Sequence, residues 1–246
     1  MKRAYPGLTA AAGGLATPQI RGVGTIGGNL AQRNRCWYYR NPHTPCLNKG
    51  GAVCPAREGN HLYGVIFDRG PCVAPHPSTL GAALLAYDAR VATTLRNDLA
   101  IAELFGDGSD GTRDNGLAPG EEILAIRLPP AVTGERGAYH RAISRAHAEW
   151  PLVEAVAGIV SDQGLTRLAR IAVGGVAPVP LRLPTVEAAA LTGRPFDDVT
   201  IGTAARQAII GAKPLAMTGY KIDLLAGLIV DVLGRIKDTG MPIAGR

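Results

Sequence analysis

The stretch TIGGNLAQRNRCWYYRNPHTPC, Thr25 to Cys46, joins two kinds of chemistry in one segment. Its opening, TIGGN, is a small-residue turn. Gly27 and Gly28 tolerate φ > 0 and close backbone approach, and Thr25, Ile26 and Asn29 complete the turn with two short hydrogen-bonding side chains. Successive N–H groups in such a turn can cradle an anion such as a phosphate. No Gly-Lys-Ser/Thr follows, so it is not a P-loop, and it is not a G-x-G-x-x-G fingerprint opening a helix. Taken alone, a Gly-Gly pair is also what an ordinary turn looks like. The segment then runs into Cys36, within an Arg- and aromatic-rich stretch.

All four cysteines of the chain, Cys36, Cys46, Cys54 and Cys72, fall in one 37-residue window with the spacing C-x9-C-x7-C-x17-C. Such crowding points to a shared task. A disulfide framework suits small secreted domains that cannot build a core. A zinc site usually draws its ligands in close pairs such as C-x2-C; none occurs here, although His43 and His61 are further ligand candidates. One iron–sulfur cluster needs four thiolates and accepts wide spacing when a loop wraps it. Four unrelated core residues are the plain alternative, which the polar, loop-like window disfavours. Between residues 21 and 72 there are seven Lys/Arg and two acids, Glu58 and Asp68. Cations near a negatively charged cluster stabilise its reduced form. They equally suit a solvated face or a docking patch.

Around this window the chain reads as α+β. Residues 4–15 are expected to form a short helix, 17–29 a turn-rich loop, and 33–61 an irregular insertion interrupted by Pro and Gly. A structureless stretch of that length needs something to order it. LYGVIF and CVAPH read as strands, Ser78 as the cap of a helix reaching about Tyr87, and ARVATTL and EEILAIRLP as further strands. TGERG marks a boundary. AYHRAI, PLVEAVAGIV and LARIAVGGVAP are three more strands, the last two joined by SDQG. Helices follow at 184–192, 199–211 and 217–237, with a tail from about 237. The division expected is 1–131 and 132–246, with the cysteine loop at about 33–73.

The 246 residues are 46% hydrophobic and 19% charged, enough for a substantial core and against global disorder. No apolar run is long enough for a membrane span. The N-terminus lacks a continuous apolar core of the signal-peptide type. A net charge of +6 is mild for the chain length, so nucleic-acid binding through Trp37, Tyr38, Tyr39 and the arginines is disfavoured. No convincing Ser/His/Asp set is present, and no catalytic residue is assigned.

The neighbours of the glycine turn carry a family resemblance. ATPQIRGVGTIGGNLAQRNRCWYYRN, then PC, VCPA and PCVAPHPSTLGAALLAYDA, resembles the FAD-binding medium subunit of the xanthine dehydrogenase and aldehyde oxidoreductase group of molybdenum hydroxylases. The likeness continues through EEILAIRLPP, AYHRAISRAHAEWPLVEAVAGI, IAVGGVAPVPLR and GYKIDLLAGLIV, to about residue 236. It is strongest to the periplasmic-type aldehyde oxidoreductase subunit with an extra [4Fe–4S] cluster. The medium subunit of 4-hydroxybenzoyl-CoA reductase is a second relative.

The resemblance implies the second subdomain of a PCMH/VAO-type FAD-binding domain with an iron–sulfur insertion. A flavoprotein C-terminal domain, with a three-stranded sheet plus helices, would follow. It also implies a preceding subdomain bearing an AGGT-type loop for the other half of the diphosphate site, after which this chain is expected to begin. Thr25, Ile26, Gly27, Gly28 and Asn29 would line the FAD diphosphate. Cys36, Cys46, Cys54 and Cys72 would ligate the cluster. Ala74, His76, Ser78 and Thr79 would sit beside the flavin, with Arg141 in the place of a family Lys. Thr79 replaces the Asp of a family H-P-S-D pattern, and Ile143 and Ala148 depart from a pattern richer in Arg and Tyr.

The implied function is electron transfer from iron–sulfur centres to FAD and an external acceptor. The implied partners are a molybdopterin-binding large subunit and a [2Fe–2S] small subunit. The expected location is cytoplasmic, or periplasmic by co-export with a signal-bearing partner. The alternative is a truncated iron–sulfur or zinc module that docks other subunits without taking part in catalysis.

Overall fold

The computed structural model describes residues 4–145 and 149–239. Three short helices open it: α1 (Pro6–Gly14), α2 (Pro18–Val23) and α3 (Ile26–Leu30). The latter two occupy the expected loop. Thr17 followed by Pro18 is a cap plus a first-turn proline, and the Thr17 hydroxyl accepts the Ile20 N–H. Thr25 caps α3 in the same way. Within the insertion a single turn, α4 (Trp37–Arg40), and a 3-10 turn at Leu47–Lys49 are the regular elements.

LYGVIF and CVAPH do not form strands: residues 62–63 lie in a turn and 66–67 in a bend, and 72–76 have no regular structure. Single backbone bonds tie them down: Val65 N–H to the Val73 carbonyl, Ile66 and Phe67 N–H to Val176, and His76 N–H to Ala177. Pro71, Pro75 and Pro77 lack the N–H groups that a ladder needs.

Ser78 caps α5 (Thr79–Ala86) by accepting the Gly81 N–H at 2.8 Å. A small antiparallel sheet follows, ordered β2–β1–β3, from β1 (Arg90–Thr93), β2 (Leu99–Ala100) and β3 (Ile123–Arg127), with α6 (Ile101–Phe105) after β2. The second sheet is antiparallel in the order β4–β5–β6–β7: β4 (Arg136–Ala142), β5 (Val153–Asp162), β6 (Leu165–Gly174) and β7 (Leu181–Arg182). It has four strands rather than three. β7 lies between Pro180 and Pro184 and is too short to show a period.

Helix α7 (Pro184–Val186) widens into a π-type turn over Glu187–Leu191. α8 (Asp198–Ala208) and α9 (Tyr220–Asp238) complete the fold. Lys237 and Asp238, expected in the tail, extend α9; residues 240–246 lie outside the described residues.

β5 is buried almost throughout because α9 packs along it, as do α1 and α5. Leu225, Ile229, Val232 and Leu233 of α9 join Val153, Val156 and Ile159 in one core. That core also takes Leu8 from α1, Leu84 from α5 and Leu104 from α6, so it spans both halves of the chain. The cysteine loop has a satellite core of its own: Ala56, Val65 and Val73, with Cys36, Tyr38 and Cys54 against it.

α1 meets β4 backbone to backbone. A Cβ on Gly137 would stand 2.9 Å from the Gly7 Cα and 3.0 Å from the Ala157 carbonyl, so only glycine permits this crossing.

Candidate functional site

The glycine turn is the first turn of α3. Neither Gly27 nor Gly28 takes positive φ; their use is close packing. Gly28 sits under its own cap, donating its N–H to the Thr25 hydroxyl at 3.0 Å, and Gly27 lies against Ile123. The N–H groups of Ile26 and Gly27 meet no acceptor among the described residues. This is the free pair that an oxygen anion at a helix start requires.

Asn29 carries the turn to α5. Its Oδ1 accepts from the Ser78 hydroxyl at 2.7 Å and from the Leu80 N–H at 3.3 Å. The structure therefore brings Thr25–Asn29 and Ser78 together. Gln32 adds a second tie, its amide donating to the Asn29 carbonyl at 2.9 Å and to the Pro77 carbonyl at 3.4 Å.

Thr79 departs from its expected place. It is buried, and its hydroxyl donates to Glu154 Oε2 at 2.7 Å, turned into the core rather than toward a ligand. Tyr139 donates to the same oxygen at 2.8 Å. An Asp at position 79 would put a second carboxylate against Glu154, whereas Thr supplies a donor. Glu154 is 1% exposed, and burial pushes its carboxyl up to about 7. Arg141 is half-buried and contacts the Glu149 carbonyl. Ile143 is half-buried; Ala148 lies outside the described residues.

His76 is 2% exposed, edge-on to Phe105. Ser78 N–H donates to its Nδ1 at 3.2 Å, so the ring proton sits on Nε2, which has no partner. Burial holds the imidazole neutral, lowering it to about 4.

Each cysteine is positioned by local structure. Cys36 caps α4, its N–H held by Asn34 Oδ1 at 3.1 Å, and Asn34 in turn donates to Asp114. Cys46 is buried, and its carbonyl accepts from both Lys49 and Gly51. Cys54 and Cys72 stand thiol to thiol. Their mutual hydrogen bond lowers Cys54 and raises Cys72. Burial raises Cys36. All four are free thiols.

The four thiol residues line one small cavity together with Asn34, Tyr38 and Asn48. The Asn48 amide approaches Cys72 Sγ at 3.7 Å. Among the described residues, no group of three or more His, Cys, Asp or Glu side chains is arranged to hold a metal ion.

The cations of the window mostly staple the loop. Arg57 forks onto Asp68 at 2.9 and 2.7 Å and also reaches the Gly70 and Pro71 carbonyls. Arg33 pairs with Asp114 at 2.5 Å. Lys49 donates to the Tyr38 and Asn41 carbonyls.

Two residues escaped the sequence reading: Glu154 inside β5, and Lys221 in the first turn of α9, 1% exposed. Both had a signal. Each is a lone charge at a core position, Glu154 in LVEAVAGIV and Lys221 four residues before the buried Leu225.

Comparison with known proteins gives this geometry a family. Residues 1–131 match the FAD binding domain in molybdopterin dehydrogenase, and residues 138–236 match the CO dehydrogenase flavoprotein C-terminal domain. The chain belongs to the molybdenum hydroxylase family of FAD-binding subunits. It is 33% identical over 195 residues to the aldehyde oxidoreductase FAD-binding subunit PaoB of Escherichia coli (strain K12), covering 76% of this chain and 60% of that one. This chain thus spans about three fifths of the length of that relative.

Two solved structures share the fold. The carbon monoxide dehydrogenase of Hydrogenophaga pseudoflava matches with a TM-score of 0.68 at 22% identity, over 96% of this chain and 69% of that one. The quinoline 2-oxidoreductase of Pseudomonas putida 86 gives 0.67 at 18% identity, over 98% and 70%. No helix among the described residues is long and apolar enough to cross a membrane.

Proposed function

We propose that this chain is the electron-transfer flavoprotein subunit of a molybdenum-containing aldehyde oxidoreductase, and that it carries a [4Fe–4S] cluster beside its FAD. Convergence of all four cysteines on one cavity, in the segment that leaves the glycine turn, carries this reading. A cluster spreads its thiolates over separate irons, wider apart than the ligands of one ion. The absence of a single-ion ligand set among the described residues therefore does not conflict with it. The free N–H groups of Ile26 and Gly27 suit a diphosphate oxygen.

When bound, the flavin and the cluster supply the redox chemistry. The chain's own residues bind and orient. Thr25 fixes the turn, Asn29 locks it to Ser78, and the Arg57–Asp68 and Arg33–Asp114 pairs brace the cysteine loop. Substrate oxidation belongs to a molybdopterin-binding partner, with a [2Fe–2S] subunit relaying electrons to this chain. The assembly would lie in the cytoplasm, or in the periplasm by co-export.

The test is anaerobic purification of the chain, with iron, acid-labile sulfide and visible spectra from one sample. About four irons and four sulfides per chain are expected, and Cys54→Ser should lose them. A flavin band, present or inducible with added FAD, is also expected. Zinc in place of iron would leave the docking-module alternative standing. A chain that takes up neither metal nor flavin would refute the proposal.

A further inference from the structure

The start of α5 is held from two sides. On one side Ser78 and Leu80 both donate to Asn29 Oδ1, at 2.7 and 3.3 Å, which fastens the helix to the diphosphate turn. On the other, the residue between them, Thr79, donates to Glu154 Oε2 at 2.7 Å. Three consecutive residues thus join the glycine turn to β5. The two fastenings come from different halves of the chain. Asn29 and α5 lie in the stretch that matches the FAD binding domain, and Glu154 lies in the stretch that matches the flavoprotein C-terminal domain.

Glu154 is a costly residue for a core position. Its neighbours Val153, Ala155 and Val156 are buried and apolar, and a Leu or Val at 154 would avoid desolvating a carboxylate. What the carboxylate adds is direction. Apolar burial is non-directional, whereas a hydrogen bond fixes a distance and an angle. The carboxylate is itself fixed. Tyr139 of β4 donates to the same oxygen at 2.8 Å. Gly174 of β6 stands opposite Glu154 in the ladder, and a Cβ there would overlap Oε1 and lie 2.9 Å from Cγ. Glu154 is thus placed by a strand on each side and presents Oε2 to α5.

The turn at the far end has little structure of its own. α3 is five residues long and carries two glycines, which are poor helix formers. Gly28 N–H to the Thr25 hydroxyl, Asn29 N–H to the Thr25 carbonyl and Ala31 N–H to the Gly27 carbonyl close it. A single turn of helix does not hold its shape alone, so its place depends on what Asn29 is tied to. The free N–H groups of Ile26 and Gly27 serve an oxygen anion only while they are aimed at a fixed point.

We propose that Glu154 is a positioning residue for the diphosphate turn, acting through Thr79, the start of α5 and Asn29, so that the C-terminal half of the chain sets the geometry of a FAD contact made by the N-terminal half. The FAD contact rests on the function proposed above, so one arm of the test needs no flavin. In that arm, amide hydrogen exchange is followed in the full chain with no cofactor bound. Thr79→Val keeps the shape and removes the donor, and Gly28, Asn29 and Ala31 should then exchange about three- to tenfold faster, with β6 unchanged. Thr79→Ser, which keeps the hydroxyl, should restore the natural rates. Ile229→Val, which loosens the core under α9, should leave the turn as it was. In the second arm, FAD and riboflavin are titrated by flavin fluorescence. Thr79→Val should weaken FAD by about the same factor and leave riboflavin, which has no diphosphate, unaffected. Tyr139→Phe, which frees the carboxylate on one side, serves if Thr79→Val does not fold, and should move both readouts in the same direction. Unchanged exchange at the turn in a folded variant would overturn the proposal, as would equal weakening of FAD and riboflavin. A natural chain that takes up no flavin would count against the FAD reading instead, and the exchange rates would still decide whether Glu154 holds the turn.

Discussion

Replacing Glu154 with Gln tests the physical reading of the buried centre most directly. Glu154 lies inside β5, with Oε2 accepting from Thr79 and Tyr139 and Oε1 without a partner. Burial outweighs those two hydrogen bonds and moves the carboxyl from 4.5 to about 7. Between those values the folded chain holds a proton that the unfolded chain has released. This contribution is therefore fully present below about 4.5 and is lost as pH rises through about 7. The gap, at about 1.36 kcal/mol per pH unit, amounts to about 3 kcal/mol. Gln keeps the shape and the acceptor but does not titrate, and every other ionisable group is common to both proteins. Urea unfolding followed by circular dichroism, from about pH 5 to about pH 8, should show Glu154→Gln gaining on the natural chain across that range. A difference between the two that stays flat with pH would refute the desolvation argument and imply that water reaches Oε1.

Lys221 gives the opposite slope. Burial lowers it from 10.5 to about 7, so above about 7 the unfolded chain binds the extra proton and stability rises with pH. Measured against Lys221→Met, the natural chain should gain about 2–3 kcal/mol between about pH 7 and about pH 9. Gly174→Ala should cost about 1–3 kcal/mol in the same unfolding assay, because its Cβ would overlap Glu154 Oε1 and stand 2.9 Å from Cγ. Asn29→Ala should cost about 1–3 kcal/mol by stranding the Ser78 hydroxyl and the Leu80 N–H. It should also weaken FAD uptake, measured by flavin retained after gel filtration.

Much of the architecture was legible because it follows local rules. β5 and β6 are apolar runs joined by SDQG, α9 shows helical spacing, and Ser78 is a cap placed just before LGAALLA. What was not legible depends on partners distant in sequence. LYGVIF has strand composition, yet its backbone bonds go singly to Val73, Val176 and beyond. Thr79 reads as a ligand contact until Glu154, 75 residues away, claims its hydroxyl. The glycine pair reads as a turn able to cradle an anion; its helical backbone was not legible, because Thr25 as a cap outweighs the weak helix propensity of two glycines over a single turn.

The cysteine window shows how far composition carries and where geometry must take over. Seven cations against two acids reads as an electropositive surround for a cluster. In the fold, Arg57, Arg33 and Lys49 spend their charge on carboxylates and carbonyls that fasten the loop. The loop needs such fastening because its apolar core is only Ala56, Val65 and Val73, too small to offset the entropy of ordering so many residues. Arg35 instead donates to Gln32 Oε1 and stacks on Trp150. The same arginine-rich composition thus serves two purposes. Arg57 holds the loop that carries the cysteines, while Arg35 stacks on Trp150, so substitutions at Arg57 and at Arg35 should separate: the first in loop stability and iron content, the second in tryptophan emission.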